Sequence, residues 1–249
     1  MCWYRLALPI LFILSALTPG LARGETLTIG VEDEPYYPIY QPEGDNYTGA
    51  GPEILNTFAK AAGHTIVYQR YPVSRLYRSL ITGEVDYKFP DNQKWAQETK
   101  AGVTVVYSDP IITYIDGSNM IPARQRDDLV NLHILGLPLG FTPWEYKDLI
   151  AQKKVSVAEN PSFDGLIQQA LAGRIDAIYA SVSVVAYHVK QLHLPGALVF
   201  NAHLPYTKDS YRLSSIKHPE VIAQFNKWLS ENAGTVAEIK TRYGAEDGF

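Results

Sequence analysis

The chain has 249 residues, 46% of them hydrophobic, and a formal net charge of −4 at pH 7. That length is enough for one large or two small domains with real cores. The weak acidity argues against nucleic acid or an anionic membrane as a partner. The single cysteine, Cys2, excludes an internal disulfide and a thiolate metal site.

Residues 1–5 carry one positive charge, Arg5, and 6–17 form a largely apolar run. Thr18-Pro19-Gly20 breaks the run, and Gly20-Leu21-Ala22 supplies small residues at the −3 and −1 positions of a cleavage site. Residues 1–22 therefore read as an export signal peptide, since twelve apolar residues are too few to span a membrane. Cleavage removes Cys2 and Arg5, leaving a cysteine-free chain one charge more acidic. Such a chain is expected in a bacterial periplasm with no membrane insertion.

Residues 27–31 (L-T-I-G-V) read as a strand. Gly51-Pro52 opens a helix through Ala62, with Ile54, Leu55, Phe58, Ala59 and Ala62 on one face and Gly63 as its stop. A strand at 65–69, a helix at 73–82 and a strand at 85–89 complete a βαβαβ order, which implies a parallel sheet with right-handed crossovers. Residues 103–107 and 111–115 are strand-like. A second α/β set follows: strands at 134–137, 155–157, 177–180 and 198–201, and helices at 144–152, 161–172 and 182–191. Helices at 219–232 and 235–243 close the chain; lacking a sheet of their own, they are expected to dock back on the first set. The backbone then crosses between lobes twice, near 111–116 and near 206–214, which makes a hinge.

One pattern occurs in both sets: Leu76, Ile81, Gly83, Val85, Asp86 and then Leu166, Leu171, Gly173, Ile175, Asp176. Each copy reads as a helix that ends at a Gly cap and turns at once into a strand opened by Asp. Two readings stay open: a duplicated αβ unit in two similar lobes, or two ordinary αβ units that share a short pattern.

Several further segments fit one family. They are L-T-I-G-V followed by Tyr36-Tyr37-Pro38, the helix ending at Gly63, both G-x-[VI]-D turns, Tyr107-Ser108-Asp109-Pro110, and the tail from His218-Pro219-Glu220 to Tyr243. In that order and spacing the chain resembles the family 3 bacterial extracellular solute-binding proteins. The resemblance implies a two-lobed α/β fold of the type II periplasmic-binding-protein class with two hinge crossings. Lobe 1 would comprise 23–113 and 206–249, and lobe 2 would comprise 114–205. It also implies a small-molecule ligand, an ABC permease as partner, a monomer, and no cofactor. Asp33 and Tyr36 fall where the family places a polar contact and an aromatic lid. Gly140-Phe141-Thr142 resembles the lobe-2 segment that receives the ligand's carboxylate side. Two signatures are replaced: T-x-E-R by Pro90-Asp91-Asn92-Gln93-Lys94-Trp95, and the acid after the second G-x-I-D strand by Ser181. Those departures point away from a standard free α-amino acid.

The residues themselves add candidates. Lys88 lies inside a strand covered on both faces, so it is either paired, as with Asp91, or stands at the strand's carboxyl end as an anion contact. Arg75 starts a helix on the side where such sheets bind ligands. Thr142 and Pro143 read as a helix cap and first position, so Gly140-Phe141-Thr142 could present backbone N–H groups to an anion. Asn92 and Ser181 could satisfy other polar groups. Tyr36, Tyr37, Trp95 and Trp144 lie in loops or at helix starts, where rings can sandwich a ligand or pack at an interface. Glu32, Asp33 and Glu34 alternate sides of extended chain, so at most Glu32 and Glu34 point together. No histidine spacing suggests a metal, and no G-x-S-x-G or P-loop is present.

The functional expectation is a periplasmic solute-binding protein that captures a small polar or anionic metabolite for an ABC transporter by hinge closure. Its ligand contacts would be Asp33, Tyr36, Arg75, Lys88, Asn92, Trp95, Gly140, Phe141, Thr142, Trp144 and Ser181. The alternatives are a cyclohexadienyl-dehydratase-like enzyme and a ligand-sensing partner of a membrane receptor.

Overall fold

The computed structural model describes residues 24–248; the signal expected at 1–22 lies outside the described residues. The first half of the sheet comes from β1 (Thr26–Glu32), β4 (Thr65–Tyr71) and β5 (Tyr87–Asp91), with a small hairpin of β2 (Gln41–Glu43) and β3 (Asn46–Thr48) after β1. Helices α1 (Ala50–Ala62) and α2 (Val73–Ile81) connect the strands, which pair parallel in the order β4-β1-β5. Short α3 (Gln97–Lys100) and β6 (Val106–Tyr107) lead to the long β7 (Ile112–Met120).

The second set contains β8 (Ile134–Pro138), α4 (Lys147–Ala151), β9 (Ser156–Asn160), α5 (Phe163–Leu171), β10 (Ala177–Ser181), α6 (Val182–Gln191) and β11 (Val199–Phe200). Here β8 pairs parallel with both β9 and β10. The chain returns through β12 (Thr207–Ser215) and ends in α7 (Pro219–Glu231) and α8 (Ala233–Tyr243).

The two sets share one continuous path, β4-β1-β5-β12-β7-β10-β8-β9. Antiparallel β7 and β12 sit side by side at its centre, with Ile112 opposite Tyr211 and Asp116 opposite Thr207. The crossings expected near 111–116 and 206–214 are thus paired strands, and β7 runs on to Met120. Helices α7 and α8 lie against the first set: Phe225 packs on Phe58 at 4.9 Å between ring centroids, and Arg242 pairs with Glu53.

Helix α1 buries Ile54, Leu55, Phe58 and Ala59 and stops at Gly63, whose φ of 79° continues into a left-handed cap. Ile54, Leu55 and Phe58 each contribute roughly 1.5–3 kcal/mol by burial. Both copies of the repeated pattern are built alike. Leu76 and Leu166 are fully buried. Gly83 and Gly173 have φ of 73° and 68°, a region open to Gly without penalty.

The strands after these turns begin at Tyr87 and Ala177, later than the expected 85 for the first copy, because Asp86 and Asp176 are spent on the neighbouring strand. Asp86 N–H donates to Thr28 O at 3.0 Å while its carboxylate accepts from Thr28 N–H at 3.3 Å. Asp176 N–H donates to Ile134 O at 2.8 Å, and its carboxylate accepts from Ile134 N–H at 2.7 Å and His133 N–H at 2.8 Å.

The expected helix over 144–152 divides into a 3-10 turn, Trp144–Tyr146, and α4. Pro143, not Thr142, precedes that turn and no side chain caps it, since Pro143 is held out of helical geometry at ψ 82°.

Candidate functional site

Where the two halves of the sheet meet, they enclose a cavity of about 310 Å³. The first half supplies Glu32 from the end of β1, Tyr36 and Tyr40 from the loop beyond it, Val73, Ser74 and Tyr77 from α2, and Pro90, Trp95, Ala96 and Thr99 after β5. The second supplies Gly140, Phe141, Thr142 and Trp144 after β8. The central strands add Asp116 from β7 and Tyr211 from β12.

The wall is aromatic. Tyr36 stacks on Tyr40 at 5.4 Å and reaches across to Phe141 at 5.1 Å and Phe163 at 5.8 Å. Tyr211 stacks on Tyr114 at 4.4 Å, and Trp95 leans on both. Tyr36 also fastens the two halves: its hydroxyl accepts from Ser181 N–H at 2.9 Å, a fully buried position. That contact explains Ser181, whose own hydroxyl turns to Ser183 at 3.2 Å.

Behind the first-half wall lies a buried ion network. Lys88, with no solvent exposure, stands 3.7 Å from Glu32 and 3.9 Å from Asp91, and it donates to Pro90 O. Its ammonium sits 4.5 Å from the centroid of the Tyr77 ring, which lines the cavity, while Lys88 itself does not. Asp91 accepts from Lys100 Nζ at 2.7 Å and Ser214 Oγ at 2.7 Å. Glu32 accepts from the Tyr40 hydroxyl. Burial pushes the Glu32 carboxyl above its ordinary range, with Lys88 and Tyr40 opposing. Burial lowers Lys100, with Asp91 opposing.

Asp116 is different. Its Oδ1 is buried and has no hydrogen-bond partner among the described residues. Burial, reinforced by the negative charge of Glu32, raises its carboxyl to about 7.

Six of the residues singled out by sequence line this cavity: Tyr36, Trp95, Gly140, Phe141, Thr142 and Trp144. Five do not. Asp33 is exposed and faces Arg70 at 3.6 Å. Arg75 turns outward to Glu84 at 3.4 Å and lies over the Tyr71 ring. Lys88 is paired in the network. Asn92 is buried and ties the end of β5 to β12, donating to Ser210 O at 3.1 Å. Ser181 is held under Tyr36. The Gly140 N–H is taken by Glu159 at 3.0 Å and the Phe141 N–H by Pro138 O at 3.1 Å, so neither is free for an anion.

Sequence reading missed Tyr40, Tyr77, Asp116 and Tyr211, and set Glu32 aside with its neighbours. One signal was available for Asp116: an acid on the same strand face as Tyr114 in an otherwise apolar crossing segment. Among the described residues no group of three or more His, Cys, Asp or Glu side chains converges as a metal would need, and no helix is long and apolar enough to cross a membrane.

No family model matches the chain. An arginine-binding periplasmic protein from Mannheimia haemolytica is 25% identical over 216 residues, covering 80% of this chain and 84% of its own. Among solved structures, a histidine-bound substrate-binding protein of an ABC uptake transporter from Streptococcus pneumoniae superposes with a TM-score of 0.70 at 16% identity, over 90% of this chain and 94% of that one. The chain thus has the two-lobed α/β fold of these periplasmic binding proteins and is similar in sequence to an amino-acid-binding one. A histidine kinase sensor domain similar to periplasmic binding proteins shares the fold as well, with a TM-score of 0.70, 17% identity, and coverage of 89% of this chain and 96% of that one. In this chain the cavity falls between the halves of the sheet, at the carboxyl ends of β1, β5 and β8, where open α/β sheets bind ligands.

Proposed function

We propose that this protein is exported to the periplasm, closes its two halves around a small solute, and delivers that solute to a membrane permease without altering it. The observation that carries this reading is the cavity itself. Both halves of the chain wall it, and the paired crossing strands β7 and β12 form its floor with Asp116 and Tyr211. Bending that two-stranded ribbon would part the Tyr36 ring from Phe141 and release Ser181. The export leader at 1–22 and the periplasmic relative support the location.

The lining disfavours a dehydratase acting on a dicarboxylate such as prephenate. Such a substrate would meet the carboxyl groups of Glu32 and Asp116, and no Lys, Arg or His lines the cavity among the described residues. An unpaired anion taken out of water costs several kcal/mol.

Thermal-shift titration of the purified protein with amino acids, small amines and small carboxylates tests the reading. A saturable rise in Tm with at least one of them, accompanied by compaction in small-angle scattering, is expected. Failure of the whole panel to stabilise the protein, or turnover of a bound compound, would overturn it.

A further inference from the structure

We propose that the solute held in this cavity is a protonated amine or guanidine that carries no carboxylate. The inference rests on the reading of the cavity as a solute site and names the chemistry of its occupant.

Charge decides the sign. The buried acids and bases in and behind the wall include Glu32, Lys88, Asp91, Lys100 and Asp116, while Lys147 lies over the Trp144 ring. Lys88 and Lys100 face Glu32 and Asp91 and pair with them. Asp116, on the central strand β7, is left over, with one buried oxygen lacking any donor among the described residues. A buried carboxylate oxygen of that kind calls for a charged N–H donor. The rings of Tyr36, Trp95, Phe141 and Tyr211 surround the same space, and aromatic faces attract cations while excluding water.

The other half of the inference is what a carboxylate would find. Arg75 points away to Glu84, and Lys88 is paired with Glu32 and Asp91 outside the lining. The N–H groups of Gly140 and Phe141 are engaged. What remains is uncharged: the first turn of α2, where Val73 and Ser74 reach the cavity, and the hydroxyls of Thr99 and Thr142. A helix N-terminus carries about half a unit of positive charge. That is less than one ligand carboxylate and has to act beside Asp116. The volume, about 310 Å³, stands at the small end of ligand cavities and suits a compact amine.

Matched pairs test this directly: agmatine against arginine, cadaverine against lysine, histamine against histidine, each titrated calorimetrically into the purified protein at pH 8. At least one amine is expected to bind, and at least tenfold more tightly than its parent amino acid. Asp116→Asn, which keeps the shape and removes the charge, is expected to weaken that amine at least tenfold. Its unliganded Tm at pH 8 should be equal to or above wild type, because a half-buried carboxylate with one unpaired buried oxygen is gone.

Amino acids or simple carboxylates binding as tightly as the amines would overturn the proposal and leave solute capture standing. So would an Asp116→Asn variant with undiminished amine affinity. If none of the amines, amino acids or carboxylates binds, solute capture itself fails.

Discussion

The two copies of the repeated unit share a frame and part ways at their ends. In both, a buried Leu anchors the helix, a left-handed Gly ends it, and an Asp carboxylate holds the first residues of a neighbouring parallel strand. Beyond that point β5 runs into Lys88, Asp91 and Asn92, all buried and tied to Lys100, Ser210 and Ser214. By contrast, β10 runs through uncharged residues to Ser181 and straight into α6. The frame is a solution to packing, and the strand ends are where chemistry differs. Charge has been concentrated behind one wall of the cavity, and the other wall has been left to aromatic contact through Tyr36.

The largest effect is expected at the charged end. Lys88→Met leaves Glu32 and Asp91 buried with Lys100 as their one remaining cation, and should cost about 3–5 kcal/mol in urea unfolding. A loss below about 1 kcal/mol would mean that the network is not charged as described.

If the charged end balances itself, Asp116 is the carboxyl that titrates near neutrality. Its folded value of about 7 lies above the ordinary value of about 3.9. Between these the folded chain binds a proton that the unfolded chain does not, so this group's contribution to stability is lost as pH rises from about 4 to about 7. Glu32 and the tyrosines 36, 114, 179 and 211 face it. His188, pushed down by burial despite Asp164, works in the opposite direction. The readout is therefore the Tm difference between wild type and Asp116→Asn, which should shift in favour of the variant from pH 5 to pH 8. A difference that stays constant over that range would rule out a raised carboxyl at Asp116.

The shared frame predicts a smaller and matched effect. Asp86→Ala and Asp176→Ala should each cost about 1–3 kcal/mol by freeing strand N–H groups, with Asp176 the costlier because it holds two N–H groups and Arg124 at 2.6 Å, against one N–H group and Lys217 at 3.1 Å for Asp86. Burial works against ionisation of Asp176, yet Arg124 and the Ile134 and His133 N–H groups hold its carboxyl below its ordinary range. A severe loss at one position with none at the other would break the equivalence. The least costly change is Tyr36→Phe, expected to remove about 0.5–1.5 kcal/mol and to enlarge the radius of gyration of the unliganded protein in scattering.

Much of the frame was legible because it is written in local signals: the apolar face of α1, the Gly stops, the βαβαβ order. The late start of β5 was not, since the bonds from Asp86 go to a strand about sixty residues away. The wall loops drew notice through aromatic residues outside any regular core pattern, such as Tyr36 and Trp95. Of the ion network only the Lys88–Asp91 pair was legible, as one of two readings, and the rest escaped for a different reason. Asp91 meets Ser214 across 123 positions of sequence, and nothing local says which strand will lie beside it. Arg75 shows the reverse case. A cation at the right end of a helix turned outward to Glu84, because an exposed partner nearby costs less desolvation than a cavity does.

The pairing of Asp116 with Thr207 places the unpartnered carboxylate on the ribbon that joins the two halves. A solute gripped there sits at the axle, where it has little leverage over how far the jaws swing. The leverage belongs to the rim, to Tyr36 against Phe141 and Ser181. Under the proposed mechanism, selectivity and closure are thus separable properties of this protein: the axle chooses the passenger, and the rim decides how long the door stays shut.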